Sequence, residues 1–329
     1  MVLSWIPHQP SKALRHAHVT QSDHLIRLFI PEASTRVHAV QLQGSWRQIQ
    51  SLHPDEPAPA HHLLGEMAAA SCLLSASLKY EGSVTLQIHG DGPIRLAVAE
   101  CNAQMGVRGT IKRAQDAQIA PTASQRDLIN CSGLGRFSLI LDPMQPHQKP
   151  YQGIVSFVGD TLSEAIESYM AQSEQLQSRL WLFCKGEAAA GLLLQQMPHE
   201  GGHRGSTPDA RQEGWNRLSM LAQTLTASEL LEEDLISVMN KLFWNESIRL
   251  LEERSPRFHC PCTRARVGRM LTTLGVEEVT SILSEQPAVS VTCDFCNTPY
   301  SFDAVDCARL FNDPLPTEQS TLPGPQTPQ

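Results

Sequence analysis

Cys260-Pro261-Cys262 and Cys293-Asp294-Phe295-Cys296 stand near the C-terminus, two short pairs separated by the length of a small module. Thiolates are soft ligands. Four of them at about 2.3 Å satisfy a tetrahedral zinc ion, and each short pair can deliver two from one tight turn. The same sulfurs can pair with one another if they are oxidised. A disulfide between residues two apart closes a very small ring, and strained disulfides are the labile, regulatory kind. The spacing therefore encodes a metal clamp and a possible redox trigger. Arg264, Arg266 and Arg269 follow the first pair, where they could offset thiolate charge and lower thiol pKa values. Phe258, Phe295, Tyr300 and Phe302 are expected to pack around the site. His259 lies beside the first ligand and reads as a supporting or solvent-facing neighbour.

Spacing alone leaves the role of such a site open. A nucleic-acid ribbon conflicts with charge: residues 258–311 carry Arg264, Arg266, Arg269 and Arg309 against Glu277, Glu278, Glu285, Asp294, Asp303 and Asp306, so 4 − 6 = −2 before any thiolate is counted. A thioredoxin-like exchange role for Cys293 and Cys296 lacks the strand-to-helix setting that it needs. A structural zinc staple and a switch both remain. The other cysteines read as bystanders. Cys307 falls in a helix-like segment, and Cys72, Cys101, Cys131 and Cys184 are expected to be buried and inert.

The elements that must position these sulfurs follow from pattern. Residues 258–311 are too few to bury much of a core unaided, so the metal would act as their staple. Residues 206–257 read as a helical linker. Trp215, Leu218, Leu221 and Leu225 share a face, and Thr226 with Glu229 forms a capping box ahead of Leu230, Leu231, Leu235, Val238, Met239, Leu242 and Phe243. These helices are heavily charged and must lie against something else to be stable. Residues 25–205 read as an α+β domain. His62 to Leu78 is helical, with Leu64, Met67, Ser71, Leu74 and Leu78 on one face. Val84, Leu86 and Ile88 alternate up to the turn Gly90-Asp91-Gly92-Pro93, and Ile94, Leu96 and Val98 resume the alternation, which predicts a hairpin. Arg36–Leu42, Phe137–Leu141, Tyr151–Val158 and Trp181–Cys184 read as further strands, with a helix capped by Thr161 and Glu164 before the last. Glu200 to Pro208 lacks the order of a phosphate loop and reads as a break. Residues 1–24, with His8, His16, His18 and His24, read as a flexible extension, and 312–329 as a proline-rich disordered tail.

Composition narrows the function classes. An apolar content of 41% supports a sizeable core, while a net charge of −8 and 5% aromatics argue against a nucleic-acid footprint. No run of 18 apolar residues is present, and the first ten residues do not resemble a signal peptide, so a cytoplasmic protein with reduced thiols and no membrane segment is expected. No G-x-S-x-G, H-E-x-x-H or catalytic carboxylate pair stands out, so no enzyme is expected.

The chain resembles the heat-shock protein 33 family, a family of redox-regulated chaperones. Phe258-His259-Cys260-Pro261-Cys262 and Val291 to Asp303, which reads VTCDFCNTPYSFD, carry the resemblance most strongly. Leu78-Lys79-Tyr80-Glu81-Gly82, Gln87 to Pro93, Arg108-Gly109 and Gly191 to Pro198 add to it. The resemblance implies an ATP-independent holdase for unfolding client proteins. It implies one Zn²⁺ per chain on Cys260, Cys262, Cys293 and Cys296 in a reduced, inactive state. On oxidation it implies the disulfides Cys260–Cys262 and Cys293–Cys296, zinc release, an unfolded linker and an active homodimer built through the N-terminal domain. Thr263-Arg264-Ala265-Arg266 departs from the family's usual Ser-x-Glu-Arg after the first pair, and the N-terminal extension is atypical. The rival readings are a structural zinc protein with a fixed partner and a thiol oxidoreductase. Apolar candidates for a client-binding surface occur in both the N-terminal domain and the linker.

Overall fold

The structure is a computed structural model that describes residues 23–78, 81–143, 148–197 and 208–312. His8, His16, His18, residues 198–207, which include 200–207 of the glycine-rich break, and the tail from 313 onward lie outside the described residues. The chain divides into two compact units, one ending at His259 and the other starting at Cys260.

The first unit runs β1 (His24–Ile30), β2 (Thr35–Leu42), α1 (Gly44–Ser51), α2 (Ala58–Ser77), β3 (Gly82–His89), β4 (Ile94–Asn102), β5 (Gly106–Arg113), α3 (Gln125–Ile129), β6 (Arg136–Pro143), β7 (Tyr151–Ser156), α4 (Leu162–Ser173), β8 (Ser178–Lys185), β9 (Ala188–Gln196), α5 (Pro208–Ala222), α6 (Ala227–Glu232), α7 (Leu235–Leu242), β10 (Arg249–Arg254) and β11 (Arg257–Phe258). The strands form two sheets, ordered β10-β1-β2-β9-β8 and β11-β5-β4-β3-β6-β7.

Helix α2 lies between the sheets. Its Leu63, Leu64, Met67, Leu73 and Leu74 share one core with Leu25 and Val40 of the first sheet and Val84, Leu86 and Ile88 of the second. Recurrence every three or four residues predicts a single apolar face on this helix. Burial on nearly every side instead explains why small residues fill its other faces, because only Ala, Ser and Gly let two sheets approach one helix. The helix starts at Ala58, before the expected His62, because Pro59 sits in its first turn, where a missing N–H costs nothing. The predicted hairpin is β3–β4, with Val84 opposite Cys101 and Ile88 opposite Ala97. Its turn is closed tightly: a Cβ on Gly90 would lie 2.1 Å from the Ile94 carbonyl oxygen. Asp91 accepts from the amides of Ser132 and Leu134, both at 2.9 Å. Both capping boxes form, at Thr161/Glu164 and Thr226/Glu229.

The opposite face of the five-stranded sheet carries a second core. Ile26, Leu28, Ile30, Val37, Ala39, Leu192 and Leu194 pack against Trp215, Leu218, Leu225, Leu230, Leu235, Met239 and Phe243 of the helical segment. Gln41 reaches across to donate to the carbonyls of Leu230 at 2.8 Å and Glu233 at 2.6 Å. The end of the stretch read as helical is a strand. β10 pairs antiparallel with β1, placing Glu252 opposite Arg27 and Glu253 opposite Ile26. Arg27 binds Glu252 at 2.5 Å and His24 meets Glu253 at 3.3 Å. Leu, Glu and Arg are good helix formers, but an open sheet edge and complementary charges override that preference. His24, read as the end of the extension, is the first residue of β1.

The second unit contains α8 (Arg264–Leu274), α9 (Val276–Glu285), the hairpin β12 (Ala288–Thr292) and β13 (Pro299–Asp303), and α10 (Ala304–Asn312). Its buried residues are Val267, Leu271, Val279, Val289, Phe302 and Cys307. Arg264 lies 4.3 Å over the Phe302 ring and binds Asp306 at 2.6 Å, which ties α8 to α10.

Candidate metal centre

Each cysteine pair is held by a short local device. Cys293 and Cys296 occupy the turn of the β12–β13 hairpin. The amide of Cys293 donates to the Thr298 carbonyl at 3.0 Å, and the Asn297 amide donates to the Cys293 carbonyl at 2.8 Å. Asn297 closes the turn with a φ of 54°, a conformation that asparagine adopts at little cost. Cys260 and Cys262 lie in the extended segment before α8. Thr263 ends that segment as the helix N-cap, its hydroxyl accepting from the Arg266 amide at 3.2 Å.

These devices bring all four sulfurs within 4.8 Å of one another. Cys260 Sγ lies 3.7 Å from Cys293 Sγ, and Cys262 Sγ lies 3.2 Å from Cys296 Sγ. Four ligands at about 2.3 Å from a tetrahedral centre stand about 3.8 Å apart, so the cluster has the size that a zinc-like ion requires. The thiols are unbridged. Both close contacts join one sulfur of each pair, the arrangement that a shared ion needs.

Hydroxyl groups serve the sulfurs. The Tyr300 hydroxyl donates to Cys262 Sγ at 3.2 Å, and Thr298 Oγ1 lies 3.2 Å from Cys296 Sγ. Burial pushes the Cys262 thiol up, and the Tyr300 hydrogen bond only partly opposes it. For Cys296 burial also pushes upward, but Thr298 and the neighbouring sulfurs outweigh it and bring the thiol to about 7. The bond to Cys262 pushes the Tyr300 phenol up to about 12.

Several residues differ in role from the sequence reading. Tyr300 is a hydrogen-bond donor to a sulfur as well as a packing residue. Arg264 is engaged by Asp306, Phe302 and the Ser301 carbonyl, while the Tyr300 hydroxyl donates to Cys262 Sγ and Cys296 Sγ donates to Thr298 Oγ1. A polar hydroxyl two and four residues beyond the second pair was the available signal. Phe258 packs against the core of the first unit, and the His259 amide donates to the Val107 carbonyl at 3.0 Å. Cys307 is buried in the small core, and Cys72 and Cys101 are fully buried in the large one. Cys131 is exposed and Cys184 only partly buried, contrary to expectation. Cys131 lies in the loop after α3, and Cys184 lies on β8, a sheet edge.

The model of the family described as Hsp33 protein matches residues 23–303, a span that includes all four clustered cysteines. The chain belongs to the Hsp33 family. An Hsp33-family relative from Methylobacillus flagellatus, named 33 kDa chaperonin, is 41% identical over 305 residues, covering 92% of this chain and 97% of its own. A 33 kDa chaperonin from Chromobacterium violaceum is 41% identical over 290 residues, covering 88% and 94%. The crystal structure of the Thermotoga maritima 33 kDa chaperonin superposes with a TM-score of 0.70 over 88% of this chain and 98% of that one. At 20% identity this likeness speaks for the Hsp33 fold alone. Among the described residues, no helix is long and apolar enough to cross a membrane.

Proposed function

We propose that this member of the Hsp33 family is a cytoplasmic, ATP-independent holdase whose four-cysteine cluster is its switch. The observation that carries the reading is the single cluster formed by Cys260, Cys262, Cys293 and Cys296, sized for one tetrahedral ion, in a chain of a chaperone family. Zinc, when bound, supplies the cross-link that folds the second unit. An oxidant such as a peroxide takes two electrons from each of two dithiols. Cys260 then bonds to Cys262 and Cys293 to Cys296, two disulfides form, and each peroxide leaves as water. Disulfide sulfurs are poor ligands, so the ion is released and the second unit loses its staple. The form that holds unfolding client proteins is a homodimer, with 25–205 as the client-binding and dimerisation domain, 206–257 as the metastable linker and 258–311 as the switch.

The linker geometry supports this reading. α6 and α7 have six and eight residues, lengths that are marginal without a partner surface. They and α5 cover Ile26, Leu28, Ile30, Val37, Ala39, Leu192 and Leu194 of the five-stranded sheet. If they detach, that apolar face becomes the holding surface.

The test is to treat the reduced, zinc-loaded chain with peroxide at mildly raised temperature. Free thiols, released zinc and light scattering by a chemically denatured client are followed together. Loss of four thiols and one zinc, with suppressed scattering, is expected. A small core stapled by sulfur also suits a structural zinc protein with a fixed partner. That second reading requires zinc retention and no effect on the client.

A further inference from the structure

Four strand edges bound the two sheets of the first unit, and three of them are blunted. β10 carries Arg249, Glu252, Glu253 and Arg254, and its pairing with β1 is interrupted by a bulge. β8 carries Arg179 and Lys185, and the Leu180 amide is already taken by Glu167 Oε1 at 2.7 Å. β11 has two residues. These are the devices by which sheets avoid pairing with other chains. Among the described residues, β7 has none of them. Its six residues, Tyr-Gln-Gly-Ile-Val-Ser, carry no charge and no proline, and they pair with β6 in unbroken register.

The direction of its main-chain groups follows from one hydrogen bond. The Phe157 amide donates to the Gly135 carbonyl at 2.8 Å, immediately beyond the Ser156–Arg136 pair. In an antiparallel ladder, hydrogen-bonded and non-hydrogen-bonded pairs alternate. Tyr151, Gly153 and Val155 therefore bond to β6, while the amides and carbonyls of Gln152, Ile154 and Ser156 face away from the sheet. Apolar side chains gather around this edge. Leu134 is 72% exposed, Ile154 56%, Val158 51% and Tyr151 48%.

We infer that the β7 edge binds an extended, apolar polypeptide segment by adding it as a further strand to the six-stranded sheet. The inference deepens the proposed function, resting on its premise that the chain holds other polypeptides. Main-chain pairing reads no sequence, and exposed Leu, Ile, Val and Tyr favour apolar partners of any order, which is the recognition that an unfolding chain offers. A second copy fits the same edge less well. One pair of six-residue strands buries far less than the roughly 1,200 Å² that stable interfaces need. α5–α7 cover the other sheet, so the edge is available before the proposed switch as a site of first contact.

The probe is a labelled ten-residue peptide of alternating valine and threonine, capped at both ends, titrated by fluorescence anisotropy against the full reduced chain. A version N-methylated at every second amide serves as the matched control. The native chain is expected to bind the plain peptide and not the methylated one. Ile154→Pro removes one outward donor at an edge where the fold tolerates proline, and it should weaken binding about five- to tenfold. Ile154→Lys should weaken it similarly, and Ile154→Ala by less. Far-UV circular dichroism and melting show whether each variant folds, and the methylated peptide tests the ladder without any variant. Equal binding of both peptides, or native-like binding by folded Ile154→Pro and Ile154→Lys, overturns the inference. So does a concentration-dependent dimer that Ile154→Pro abolishes while excluding the peptide, since the occupant is then a second copy. Light scattering with the oxidised chain reads the holdase proposal separately. Suppressed scattering without edge binding removes this inference alone, and edge binding without suppressed scattering removes the holdase reading.

Discussion

The two units solve the same problem with different materials. The first buries two large apolar clusters, one on each face of its five-stranded sheet, and only one of them surrounds α2, a helix packed on nearly all sides. The second buries Val267, Leu271, Val279, Val289, Phe302 and Cys307, and holds four sulfurs in one cluster beside them. A core of that size does not offset the conformational entropy of its chain, so cross-linking must contribute what burial cannot. Stability from burial persists under most conditions. Stability from thiolate ligation depends on metal supply and redox state. The contrast teaches how one chain can contain a durable scaffold, the core around α2, and a conditional one.

The most forceful way to break this contrast is to remove the metal proposed for the cysteine cluster. A strong chelator should unfold the second unit, withdrawing folding free energy on the order of 10 kcal/mol. The first unit should retain a cooperative melt. Amide hydrogen exchange resolved along the sequence checks both, and protected amides in 264–312 after chelation would abolish the distinction.

Glu66 sharpens the comparison from the side of the first unit. It sits in α2, where burial pushes its carboxyl up to about 7, opposed by the hydrogen bond that Gln125 donates at 2.6 Å. Its folded value lies above the ordinary 4.5, so the protonated form favours the fold. That contribution is full below about pH 4.5 and is lost as pH rises through 7. Glu66→Gln should therefore raise the melting temperature of the first unit at pH 8 by an amount worth about 1–3 kcal/mol, and change little at pH 4. Zinc content should not move. A gain that is equal at both pH values would show that ionisation is not the cause.

The smallest expected effect isolates a single hydroxyl. Tyr300→Phe removes the donor to Cys262 Sγ while keeping the ring. Zinc affinity should fall about tenfold, the lower end for loss of a group that orients a ligand. Melting of the first unit should be unchanged. Competition with a chromophoric chelator reads the change, and an unaltered affinity would make the hydroxyl incidental.

Much of this protein was legible in its amino-acid order. Local chemistry determined the two cysteine pairs, the β3–β4 hairpin with its glycine turn, and the capping boxes at Thr161 and Thr226. Each depends on neighbours within a few residues, where spacing and side-chain type suffice. Tertiary structure alone decided the rest. It turned residues 249–254 from helix formers into a strand, because β1 presented a matching edge. It buried α2 on nearly every side between two sheets. It chose Tyr300 and Thr298, rather than the nearby arginines, to serve the sulfurs of Cys262 and Cys296. Among the described residues, it also left β7 as the edge without charge, proline or bulge. These outcomes depend on which distant segments meet, and a linear pattern carries no term for the free energy of that meeting.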